Sequence, residues 1–78
     1  MIETQSGVDI HGEYVQYLLL RKKVLHPDIN TVHAIIVDTE KKHAIIKRRR
    51  SADVPLRLRN HILWYCKKNY GIISHSLI

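Results

Sequence analysis

The tetrapeptide His-Ala-Ile-Ile occurs at 33–36 and again at 43–46, and this duplication constrains the fold more than any other feature. Both copies hold residues that suit a pleated, half-buried surface, and the segment between them, Val37-Asp38-Thr39-Glu40-Lys41-Lys42, is polar in its middle. Two short β-forming runs joined by a polar connector predict a hairpin. The connector has no Asn-Gly or Asp-Gly, so a loop of about three to five residues near Asp38–Lys41 is expected in place of a tight primed turn. One repeat of this length is too short for a solenoid and reads as two similar strands.

A lone hairpin is unstable in water, so other segments must cover it. The best-argued one runs from Asp53 to Gly71. Asp53 followed by Pro55 matches the acidic residue and early proline of a helix start, and Gly71 after Tyr70 matches a helix stop. Within it Leu58, Ile62, Tyr65, Cys66 and Tyr70 fall on one side, with Leu56 and Leu63 at the edge. Before the hairpin, Tyr14, Tyr17, Leu18, Val24 and Leu25 recur at helical spacing and predict a helix over Gly12–Leu25. Asp9 is its candidate cap and His26-Pro27 its end, since a residue preceding proline is disfavoured in the α region. Residues 1–9 read as an irregular or strand-like start, and Pro27–Asn30 as a turn.

The expected fold is a single small α+β domain over residues 1–78 with element order α-β-β-α. An antiparallel hairpin is flanked by two helices that share one sheet face. The weak alternation of Ile72–Ile78 allows a third strand at the C-terminus. A chain of 78 residues buries only about 60% of its unfolded surface, so a homodimer would help stability. Cys66 is the only cysteine, which excludes an internal disulfide and suits a reducing, intracellular (cytoplasmic) setting. The polar N-terminus does not read as a signal peptide. Apolar runs such as Tyr17–Leu20 are only four or five residues long, far shorter than the roughly 20 residues needed to span a bilayer, so no membrane partner is expected.

Charge is lopsided. Residues 1–40 carry three bases against six acids, whereas residues 41–78 carry ten bases against Asp53 alone, giving −3 and +9 within the formal +6. Such a field draws in a polyanion. Lys47-Arg48-Arg49-Arg50 closes the second strand and leads toward Arg57 and Arg59, a continuous basic track in which arginine forks suit phosphate oxygens. Lys41 and Lys42 at the hairpin tip extend this footprint or guard a strand edge. The outer arc of the second helix holds Arg57, Asn60, His61, Trp64, Lys67 and Lys68. Tryptophan is usually well buried, so Trp64 is expected to pack under the hairpin or at an oligomer contact. The alternative is a platform on which bases stack.

The six histidines, His11, His26, His33, His43, His61 and His75, have no zinc-type spacing between them or with Cys66, and no metal or other cofactor is expected. His33 and His43 occupy equivalent repeat positions and could approach across the hairpin, but two ligands do not close a tetrahedral site. His26-Pro27-Asp28 after Arg21–Lys23 resembles the loop of J-domain cochaperones. The β-like His33–Ile36 segment occupies the place of that family's long third helix, and the match covers only this small part of the chain.

Three functions are compatible with these residues. The first is nucleic-acid binding, DNA or RNA, with Lys47, Arg48, Arg49, Arg50, Arg57, His61, Trp64, Lys67 and Lys68 as contacts and no catalytic group. The second is a small regulatory or inhibitor protein of the mobile-element or viral type, docking on an acidic surface of a host protein. The third is a small basic ribonuclease using His61 with Arg57 and Lys68, or His43 with Arg48–Arg50.

Overall fold

The computed structural model describes residues 3–8 and 14–78, with side chains from Gln16 onward. Five strands form one mixed sheet in the order β1-β2-β3-β4-β5: β1 (Glu3–Val8), β2 (Tyr14–Leu19), β3 (Val32–Asp38), β4 (His43–Arg48) and β5 (Ser74–Leu77). One helix, α1 (Leu56–Tyr70), lies between β4 and β5, and short 3-10 turns occupy Arg21–Lys23 and Ile29–Thr31. Among the described residues the domain is α+β with a mixed sheet and one helix, so the two flanking helices expected from the sequence are reduced to one.

The hairpin forms as its sequence implies. β3 and β4 pair antiparallel with Ile35 opposite Ile46 and Ile36 opposite Ile45. Asp38, only 5% exposed, organises the loop: its Oδ1 accepts the N–H groups of Glu40 and Lys41 at 3.1 and 3.0 Å. Lys42 then takes a left-handed conformation with φ of 55°, turning the chain back into β4. A register shift between Val32 and Ala34 leaves His33 as the extra residue of a bulge. Antiparallel pairing also puts the two repeats head to tail. His43 therefore lies opposite Asp38, at the other end of the hairpin from His33, and the two histidines do not meet.

The Gly12–Leu25 helix is not formed. Tyr14–Leu19 is a strand that pairs with β3, Leu18 lying opposite Val37 and Leu19 opposite Ile36. Val15 and the two tyrosines suit an extended backbone, and β3 offers a free edge whose ladder bonds outweigh weak helical spacing. The helical pattern survives for a single turn: 3-10 residues 21–23 place Leu20 and Val24 four apart, and both are buried. The proposed cap Asp9 and Gly12 fall outside the described residues.

Helix α1 ends as expected and begins slightly later. Pro55 is the N-cap, and no side chain caps the helix, so Asp53 does not play that part. Gly71 adopts φ 66° and ψ 25°, its N–H closing the last turn on the carbonyls of Cys66 and Lys67. Leu58, Ile62 and Cys66, spaced by four, are fully buried against a core that includes Leu20, Val32, Ile35, Val37, Ala44, Ile46, Val54 and Ile72. Tyr65, Leu63 and Tyr70 pack at its margin, whereas Leu56 is exposed. Because α1 reverses the chain after β4, β5 returns parallel to it, with His43 beside Ser74 and Ile46 beside Leu77. The C-terminal strand therefore exists, outside the antiparallel hairpin. On the sheet face away from α1, Tyr17, Leu19, Ile36, His43 and Ile45 are half-buried, and no helix among the described residues covers them. None of the described helices is long and apolar enough to cross a membrane.

Candidate functional site

At the end of β4 the chain must leave the sheet and climb to the helix that covers one face. Arg48 is the last strand residue and its Nε donates to the Ile78 carbonyl at 3.4 Å. Arg49 donates its N–H to the Thr31 carbonyl at 2.9 Å, and Arg50 takes the left-handed conformation, φ 52°. In a straight strand, successive side chains point to opposite faces. Here the turn at Arg50 breaks that alternation. Lys47, Arg48, Arg49 and Arg50 together line one open groove of about 580 Å³, joined by His33 from the β3 bulge. No acidic residue lines it.

A second group lies on the outer face of α1. His26 comes from the loop before β3, and its ring centroid is 5.4 Å from that of His61. His61 stacks on Trp64 at 5.9 Å with the planes inclined by 27°. The Lys68 ammonium lies over the Trp64 ring at 5.1 Å, a cation–π contact. Spacings of three and four residues make His61, Trp64 and Lys68 neighbours along the helix. Trp64 is 55% exposed, so the burial expected for it under the hairpin does not occur. It projects from the arc opposite Leu58, Ile62 and Cys66, where the sheet cannot reach it.

The Pro27–Thr31 turn links the two groups. Asp28 Oδ2 accepts from Arg57 Nη2 at 2.9 Å and from Nε at 3.2 Å. The Asp28 N–H donates to His26 Nδ1 at 3.1 Å, and Asp28 Oδ2 lies 3.8 Å from that nitrogen. Thr31, whose carbonyl holds Arg49, donates from both N–H and Oγ to the Asp28 carbonyl. Arg21 steadies the same segment through Val32 and Asn30.

Of the residues singled out in the sequence, Lys47 and Arg48–Arg50 are brought together, and so are His61, Trp64 and Lys68. Lys67 stands exposed beside the second group. Arg57 is engaged by Asp28, and Arg59 is half-buried with its Nε lacking an acceptor, so the cations form two groups and not one uninterrupted track. Large apolar side chains share the surface, including Leu25 at 88% exposure and Ile73 at 74%. Sequence reasoning missed His26, His33 and Asp28. The only local signal was the His-Pro-Asp turn itself.

His43, Cys66 and Tyr70 lie outside these two groups. His43 bridges β4 to β5, its Nδ1 2.7 Å from Ser74 Oγ and its Nε2 2.8 Å from Ser76 Oγ. Burial pushes the Cys66 thiol up to about 11, which keeps it protonated and inert at neutral pH. Burial also raises Tyr70, with smaller contributions from Tyr65 and Cys66. Among the described residues no group of three or more His, Cys, Asp or Glu is placed to hold a metal ion. No protein-family model, curated protein or solved structure matches the chain.

Proposed function

We propose that the protein binds nucleic acid, chiefly through backbone phosphates held in the groove at the end of β4. The observation that carries this reading is the curling of four consecutive bases and His33 around one acid-free depression. Arginine forks converging on an open groove suit a chain of phosphates, and their own repulsion gives them little use in holding the fold. Lys67 and Lys68 extend the footprint along α1, and the exposed Trp64 offers a stacking surface. Arg57 contributes less, because Asp28 already balances its charge.

The test is a salt series on duplex DNA, single-stranded DNA and RNA. With about four phosphates neutralised, log K against log[salt] should fall with a slope near −4 on a duplex. Replacing Arg48, Arg49 and Arg50 together by alanine should remove about three units of that slope. Equal binding by wild type and triple variant overturns the proposal.

A second reading has its own support in the exposed Leu25, Leu56 and Ile73, which suit a protein partner. In that case the bases steer the chain onto an acidic host surface. One tight protein partner, with negligible affinity for all three nucleic acids, would favour it.

A further inference from the structure

β5 ends the sheet, and no strand among the described residues pairs with its outer edge. We propose that this edge is a homodimer interface, at which β5 of a second copy adds antiparallel and joins two five-stranded sheets into one. The inference goes beyond the nucleic-acid reading and does not depend on it. Strand edges in monomeric proteins commonly carry charged side chains, proline or bulges that deter such pairing. Residues 72–78, Ile-Ile-Ser-His-Ser-Leu-Ile, hold no Lys, Arg, Asp, Glu or Pro, in a chain with 13 bases and 7 acids. Ile73 and Ile78 flank the strand at 74% and 58% exposure.

The edge is held ready in its extended form. Ile73 donates its N–H to the Lys42 carbonyl at 2.9 Å, and Ile78 donates to the Ile46 carbonyl at 2.9 Å. Arg48 returns an N–H to the Ile78 carbonyl at 3.0 Å. On the sheet face away from α1, the His43 ring spans Ser74 and Ser76 and ties β5 to β4. A pairing strand therefore has little ordering left to impose. Ile78 turns both backbone groups toward β4, so by the alternation along a strand Ser76 does the same. His75 and Leu77 direct their N–H and C=O groups outward.

A second copy fits this edge by symmetry. With a two-fold axis at Ser76, His75 lies opposite the second copy's Leu77, and Leu77 opposite its His75. The outward N–H and C=O groups of both residues then have partners. Ser74 faces the second copy's Ile78 and the two Ser76 side chains meet at the axis, so no like charges stand opposite each other. His75 and Leu77 share one sheet face and Ser74, Ser76 and Ile78 the other, so an axis perpendicular to the sheet keeps each face continuous. The register carries the argument further. Leu19, Ile36, Ile45 and Ser76 form one row across β2 to β5, its three apolar members half-buried on the face that no described helix covers. Pairing at Ser76 makes this row collinear with its copy. The net charge of +6 on each chain opposes the contact, so added salt tightens it.

The experiment follows the purified full chain by sedimentation velocity over a concentration series, with amide hydrogen exchange read by NMR in the same samples. A monomer–dimer equilibrium is expected that tightens as salt rises, the opposite of the salt dependence of phosphate binding. The His75 and Leu77 amides should become protected as concentration increases, while amides bonded to β4, such as that of Ile78, do not change. His75→Pro removes an outward N–H, which an edge strand tolerates, and should weaken dimerisation about tenfold or more. Ile78→Lys, at an exposed position, puts a charge at each end of the seam and should act in the same direction. If the proline variant is poorly folded by circular dichroism, Ile78→Lys alone decides. A chain that stays monomeric up to about 1 mM overturns the proposal. So does a dimer whose His75 and Leu77 amides stay unprotected, a dimer that survives the substitutions, or growth into open-ended assemblies.

Discussion

Replacing Gly71 by alanine isolates the cost of one backbone conformation. Gly71 ends α1 at φ 66°, and a Cβ built there meets nothing within 4 Å, so steric collision contributes nothing to the outcome. What remains is the preference of an L-residue against the left-handed region, about 1–2 kcal/mol. Alanine recovers part of this by narrowing the unfolded ensemble, which leaves a net loss of about 1 kcal/mol. For a domain of 60–100 residues that corresponds to a fall in Tm of roughly 4–8 °C. Gly71→Asn should cost less, because asparagine tolerates this conformation. Thermal and urea unfolding of the three proteins, followed by far-ultraviolet circular dichroism, measures both steps. The m-value should stay unchanged, since the same surface is exposed on unfolding. An alanine variant as stable as wild type would refute the argument. So would equal losses for alanine and asparagine, which would point to something other than the dihedral angle.

Three further outcomes are expected. Ile62→Ala empties the middle of the Leu58–Ile62–Cys66 row and should cost about 2–5 kcal/mol in urea unfolding, whereas an exposed change such as Asn60→Ala should cost little. Asp38→Ala leaves two loop amides without their acceptor and should lose about 1–3 kcal/mol, while Asp38→Asn, which keeps an oxygen in place, should lose less. The raised Cys66 value means the thiol stays neutral in the fold after it would ionise in the unfolded chain. Its stabilising contribution is complete below the ordinary thiol value near 9 and is lost as pH rises toward about 11. A thiol reagent at neutral pH should therefore label Cys66 only as fast as the protein opens, and rapid labelling of the native chain would contradict its burial.

The legible parts of the fold were those in which local chemistry and burial agree. Repeated β-formers around a polar connector specify the β3–β4 hairpin, and Pro55, the Leu58–Ile62–Cys66 spacing and Gly71 bound one helix within a residue or two. Tyr14–Leu25 misled because its apolar residues satisfy two periods at once. Leu18 fits a helical stripe, yet it also lies directly opposite Val37 in a strand pair. Choosing between the two required knowledge that β3 has an unfilled edge, which is a long-range fact. The run Lys47–Arg50 was visible as a cationic run in the chain. Its closure into a groove was not, because that depends on the left-handed turn at Arg50 and on a bulge in the neighbouring strand.

Composition and order alone determined that the C-terminal half is strongly basic, that no internal disulfide can form, and that a hairpin over the two repeats is followed by a helix ending at Gly71. Tertiary structure decided which side chains become neighbours. It brought His26 against His61 and set Asp28 on Arg57, neither of which follows from local spacing. The physical reason is that charge and propensity belong to residues, whereas contacts between distant segments depend on how strands pair and on which face the helix covers.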